Sequence, residues 1–207
     1  EAFFVEYDHS VHRAAQEDYL QMLAGISPLI EPLDEQECFL DLNGGRIELE
    51  MEKLGRWFEA REWGPVLMGV GANKLLARLA TRVPYGKNQT DVPGFCCRVV
   101  EPGQEKDFLA RIPLALDWLL PSSVVEKLGF LGFTRFGELD SLSLQELLKI
   151  LGPDGYTVYQ HRRGRDNTPL LGLYPPEKLS CHFGFDRGVY ELGPLEKRLG
   201  EGARLIA

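Results

Sequence analysis

The feature that most constrains this chain is a change of pattern near Pro113. Before it, short β-type runs alternate with amphipathic helical spacing; after it, only helical spacing remains. Residues 3–7 suit a strand, and residues 11–23 place Val11, Ala14, Ala15, Leu20, Met22 and Leu23 at helical intervals. Pro28 and Pro32 bracket Leu29, Ile30 and Glu31, after which residues 38–42 read as a strand closed by Asn43-Gly44-Gly45. A helix over 47–63 buries Ile47, Met51, Leu54 and Phe58, a strand spans 66–70, a helix 73–82 and a strand 95–100. This order predicts an α+β fold with a small sheet and helices on one face, covering residues 1 to about 110. Helices are then expected at 114–119, 123–128, 135–139, 144–151 and 156–161, each bounded by Gly or Pro. Residues 173–176 read as an extended linker, and 179–185 as the strand that opens a further unit.

At 207 residues, 44% apolar and 26% charged, the chain can bury a core without staples, and it is neither a disordered tail nor a coiled coil. No apolar run nears the ~20 residues of a membrane span. Cys38, Cys96, Cys97 and Cys181 form no CxxC pair or zinc-type spacing and read as buried thiols of a reducing, cytoplasmic compartment. Glu1 is followed by Phe3, Phe4 and Val5 with no basic lead-in or cleavage site, which is the start of an excised piece rather than of a signal peptide.

The net charge of −8 hides an uneven distribution. Residues 1–62 carry 15 acidic and 5 basic side chains, residues 64–90 carry 4 basic and no acidic ones, and the remainder 16 acidic against 14 basic. The long-range field repels polyanions, while the local basic segment can touch phosphate. Within it Lys74, Arg78 and Arg82 recur every four residues opposite the apolar stripe of Leu75, Leu76 and Leu79, giving one basic helical face. Taken alone, such a row is a solvated face, Glu37 a surface acid, and Arg162-Arg163-Gly164-Arg165 a helix C-terminal cap with cations facing the dipole and Gly164 left-handed.

Three segments in this order resemble the Y-family DNA polymerases that copy past lesions: PLIEPLDEQECFLDL, then VLMGVGANKLLARLAT, then EKLGFLGFTRFGELDSLSLQELLKILG followed by RRGRDNTPL. The resemblance covers roughly residues 5–185. It implies that residues 1–112 are the later part of a palm, 113–173 a helical thumb, and 174–207 a linker and the start of a little-finger domain. The first palm strand and the fingers would precede Glu1.

In that family the segment before Phe-Leu-Asp reads Ser-x-Asp-Glu, whose carboxylates hold two magnesium ions together with an Asp of the first strand. Two-metal chemistry needs hard, charged oxygen ligands. Here Asp34-Glu35-Gln36-Glu37 occupies the motif: Gln36 stands at the Asp position and Glu37 alone remains of the pair. The family's triphosphate Lys corresponds to Tyr85, with Lys87 two residues on, and its Gly-hydrophobic-Gly thumb hairpin to Leu119-Leu120-Pro121-Ser122-Ser123, where Pro121 removes a backbone donor. Three altered parts, with FLARIPLALDWL entering the thumb, resemble the catalytically degenerate ImuB-type branch, implied to act as DNA-associated scaffolds in mutagenic, SOS-type repair.

The expected function is therefore a non-catalytic DNA-repair accessory of translesion synthesis. It binds DNA weakly and without sequence preference through Lys74, Arg78, Arg82, Lys87, Arg162, Arg163 and Arg165, and meets other repair or replication proteins through regions mostly outside this chain. No cofactor, metal or membrane is expected. One alternative is an active nucleotidyltransferase whose remaining carboxylates lie in the missing amino terminus and which then uses magnesium. The other is a protein-interaction module of the same shape without DNA binding.

Overall fold

The structure, a computed structural model, describes residues 9–42, 47–61, 66–83, 90–92, 95–173, 192–193 and 195–199. It divides into two units, Glu1–Leu173 and Tyr174–Ala207. In the second, residues 192–193 and 195–199 are helical, with Leu192, Leu195 and Leu199 exposed.

The first unit opens with α1 (His9–Ala24), the β1–β2 hairpin (Ile30–Pro32 and Cys38–Leu40) and α2 (Ile47–Glu59). Next come β3 (Val66–Val70), α3 (Lys74–Arg82), β4 (Thr90–Val92), β5 (Phe95–Val99) and α4 (Glu105–Ala110). A 3-10 turn at Leu114–Leu116 leads into α5 (Ser122–Phe130), a second 3-10 segment at Phe136–Ser141, α6 (Leu144–Leu151) and α7 (Asp154–His161). The α+β class expected from the sequence stands, and the described residues form two small sheets: β1 and β2 pair antiparallel, while β3, β5 and β4 form a second sheet in that order. There β3 and β5 are parallel, Met68 opposite Cys97, and β4 is antiparallel to β5.

Side-chain alternation along β3 divides the helices between both faces of this sheet, a difference from the one-face expectation. Val66, Met68 and Val70 pack with Leu23 of α1 and with Met51, Leu54 and Phe58 of α2. Gly69, pointing the other way, lies directly beneath α3, against the carbonyl of Ala77. That close approach requires a residue without a Cβ. A second core joins Leu75, Leu76 and Leu79 of α3 to Leu109, Leu128, Phe136, Leu139, Leu147 and Val158, so the helical region beyond Pro113 shares its core with α3.

Several boundaries differ from the sequence expectations. The hairpin strand stops at Leu40, and α2 stops at Glu59 instead of residue 63. The segments beginning at Leu114 and Phe136 are 3-10 turns, and β1, β4 and α4 were not anticipated. Local capping sets the helix starts. Ser143 Oγ accepts the Glu146 N–H and the Glu146 carboxylate accepts that of Ser143, which holds its pKa below the ordinary glutamate range. The expected strands at 3–7 and 179–185 lie outside the described residues, and among the described residues no helix is long and apolar enough to cross a membrane.

Candidate functional site

The hairpin turn places Glu37. Asp34 Oδ1 accepts the N–H groups of Gln36 at 2.7 Å and Glu37 at 2.8 Å, and Leu33 N–H donates to the Glu37 carbonyl at 2.8 Å. Asp34 thus acts as an Asx-type brace of the turn. Gln36 is left exposed, and the Glu37 side chain extends to α3.

Helix α3 is fixed at its start by Asn73, whose Oδ1 accepts the Leu76 N–H at 3.0 Å and whose Nδ2 donates to the Gly164 carbonyl at 2.7 Å. Asp166 Oδ2 accepts the Leu75 N–H at 3.3 Å. The basic row meets the hairpin acids along its length. Lys74 Nζ donates to Glu31 at 2.8 and 2.9 Å and to the Pro169 carbonyl at 3.2 Å. Arg78 approaches Glu37 Oε2 through Nε at 3.0 Å and Nη2 at 2.8 Å, and Arg82 pairs with Oε1 of the same carboxylate. The Arg78 guanidinium also lies 4.6 Å from the centre of the Trp118 ring, which stacks on Phe39 at 6.1 Å. Glu37, Phe39, Met68, Arg78 and Arg82 line one open groove of roughly 1090 Å³.

These contacts correct the picture of α3 as a uniform exposed basic face. Lys74 is only 8% exposed and paired with Glu31, whereas the Arg78 and Arg82 side chains stay 22% and 44% exposed. The counter-charges come from residues 41 to 45 positions away.

Arg162 requires a second correction. It is buried, donating to the carbonyls of Leu139 and Leu142, the latter at 2.6 Å, and therefore ties the second 3-10 segment to α7 instead of facing a phosphate. Arg163, exposed and 4.1 Å from the Tyr159 ring centre, and exposed Arg165 remain available at this end. Gly164, at φ +71° and with its N–H on the His161 carbonyl, supplies the left-handed cap expected from the sequence. Tyr85 and Lys87 lie outside the described residues.

The structure adds Glu31 and Trp118 to the site, and next to Trp118 in the chain it holds a buried pair: Asp117 Oδ2 lies 2.7 Å from His161 Nδ1, and Asp117 Oδ1 accepts the Leu119 N–H at 3.0 Å. The charged residue inside the apolar LALDWLL run is the sequence signal for this pair. Burial pushes the Cys38 and Cys97 thiols up to about 11, so they are neutral, packed side chains. Cys181 lies outside the described residues.

The residues at this turn do not fit a pair of magnesium ions. Both Glu37 oxygens face guanidinium groups, Gln36 is a neutral amide, and the Asp34 carboxylate is engaged by backbone N–H groups. Among the described residues no group of three His, Cys, Asp or Glu side chains is placed to hold a metal ion.

No family model matches the chain. Its sequence is 26% identical over 204 residues to a DNA polymerase IV of Dehalococcoides mccartyi, covering 96% of this chain and 50% of that one. A DNA polymerase IV of Streptococcus agalactiae is 26% identical over 175 residues, covering 82% and 46%. The chain spans about half the length of these curated relatives. Among solved structures, DinB from Sulfolobus solfataricus matches with a TM-score of 0.63 at 21% identity, over 82% of this chain and 50% of that one. An insertion ternary complex of Dbh DNA polymerase matches at 0.62 and 21%, over 81% and 48%. On these similarities the chain resembles the Y-family DNA polymerases over about half of their length.

Proposed function

We propose that residues 1–112 are the later part of a palm and residues 113–173 the thumb of a non-catalytic accessory protein of lesion-bypass DNA repair, resembling the degenerate ImuB-type branch. Residues 174–207 form the linker and the start of the little-finger domain. The observation that carries this reading is the double pairing of Glu37 with Arg78 and Arg82, which makes the one carboxylate left at the metal motif a counter-ion. A carboxylate shared by two guanidiniums offers a magnesium ion no free oxygen and repels it through the neighbouring cations.

DNA association then rests on DNA-phosphate contacts at the exposed cations Arg163 and Arg165 and at Arg82, which must exchange its pairing with Glu37, with Lys87 as a further candidate. Such contacts carry affinity but no base information. Partner proteins of repair or replication bind through regions mostly outside this chain.

Fluorescence anisotropy with primer-template DNA at several salt concentrations tests this, alongside primer extension with magnesium. Binding without extension is expected, with a log-log salt slope of about −2 to −3 for three contacts. The Arg82, Arg163 and Arg165 to Ala variant, which spares the buried Lys74 and Arg162, is expected to lose most low-salt binding while staying folded. Primer extension by the chain would overturn the non-catalytic reading. Absence of binding by the parent at low salt would leave the protein-interaction module as the function.

A further inference from the structure

We propose that Arg78 and Arg82 form a phosphate seat which Glu37 fills as an internal substitute for the anion, so that a phosphate group binds only by displacing the Glu37 carboxylate. The inference deepens the DNA-binding reading above and rests on its assignment of this surface to phosphate.

The seat is assembled from outside α3. Arg78 is oriented by Trp118 beneath its guanidinium and by Phe39 behind that ring. Arg82, one helical turn on, reaches the same carboxylate with its side chain 44% exposed. Two guanidiniums one turn apart that converge on one carboxylate present the planar donor forks that suit phosphate oxygens equally well. Glu37 reaches them from a braced turn, where Asp34 fixes its backbone. Its side chain is nevertheless 29% exposed and borders the open groove, so it can rotate away without unfolding the hairpin.

Charge supports the exchange. Lys74 is paired separately with Glu31, so Arg78 and Arg82 share Glu37 as their paired carboxylate, with Glu35 and Asp41 elsewhere along the groove. Replacing Glu37 in the seat by a phosphate oxygen exchanges one set of charge-assisted hydrogen bonds for another, and the carboxylate regains its hydration in the groove. The parent chain therefore binds phosphate weakly for a reason separate from its net charge.

The test is calorimetric titration of parent and Glu37→Gln with inorganic pyrophosphate, and anisotropy of both with a duplex lacking terminal phosphates. Glu37→Gln keeps the shape of the side chain and removes its charge. It is expected to bind pyrophosphate about tenfold tighter or more, a change of ~1.4 kcal/mol. Adding Arg82→Ala to Glu37→Gln should abolish most of that gain. Should Glu37→Gln melt early, Glu37→Ala in a thermally matched buffer replaces it.

A gain for pyrophosphate alone identifies a seat for free phosphate groups and removes it from the DNA path, while a gain for both identifies a seat for backbone phosphate as well. No gain for either ligand overturns the inference, whether or not the parent binds DNA through its other cations. A gain that survives Arg82→Ala would also overturn it, because the arginine pair would then not be the seat.

Discussion

Gly69→Ala is expected to lower stability by about 3 kcal/mol, near the upper end of the usual cost of overpacking, and with it the melting temperature by roughly 6–12 °C. A Cβ built on Gly69 falls 1.9 Å from the Ala77 carbonyl oxygen and 3.0 Å from Ala80 Cβ. The first atom belongs to the backbone of α3 and cannot rotate aside. Relief requires α3 to lift from β3, yet Leu75, Leu76 and Leu79 are fully buried in the core that α3 shares with the helices beyond Pro113. β3 cannot retreat easily either, because all five of its residues are in register with β5. Gly129→Ala is the matched control: it lies in α5 with open space around its would-be Cβ, and should change stability by less than about 1 kcal/mol. Thermal melts followed by circular dichroism decide between them, and a Gly69→Ala chain melting together with the parent would show that α3 is not seated as described.

Asp117→Ala is expected to cost a similar amount, about 3 kcal/mol, through a different mechanism. Asp117 is 2% exposed, and its two oxygens serve His161 of α7 and the Leu119 N–H. Truncation leaves a buried imidazole nitrogen and a loop N–H without a partner and opens a small cavity between them. Asp117→Asn retains an acceptor for one of the two donors and should fall between the parent and Asp117→Ala. Urea unfolding with an unchanged m-value and midpoints in that order is the expected outcome. Equal midpoints for all three chains would mean that this pair does not tie α7 to the loop entering α5.

What was legible in the sequence follows the range over which each feature is determined. β3 and α6 have the boundaries that their own residues dictate, VLMGV as a continuous apolar run and Leu144–Leu151 after a Ser143/Glu146 capping box. The Gly164 cap is likewise local. β1 has no signature of its own in the sequence, because three residues between prolines have no periodicity, and it is a strand through its pairing with Cys38–Leu40. α4 is a six-residue helix after Pro102-Gly103, too short for the apolar stripe that announces a helix. The same limit governs the site. The row of Lys74, Arg78 and Arg82 follows from four-residue spacing, but its neutralisation by Glu31 and Glu37 depends on a hairpin more than forty residues away in the chain. Arg162 similarly reads as one of three cap cations until the carbonyls of Leu139 and Leu142 surround it. Gln36 is legible in the sequence as a neutral side chain beside Glu37, whereas the engagement of Asp34 by the backbone and of Glu37 by two arginines requires the fold.

In the function proposed above, Glu37 is a counter-ion for α3 and not a metal ligand. Calorimetric titration of the chain with manganese, repeated on Glu37→Ala, tests it most directly. No Glu37-dependent binding tighter than about millimolar is expected, because both carboxylate oxygens face guanidinium groups and Gln36 adds no charge. Micromolar manganese binding that Glu37→Ala abolishes would contradict it.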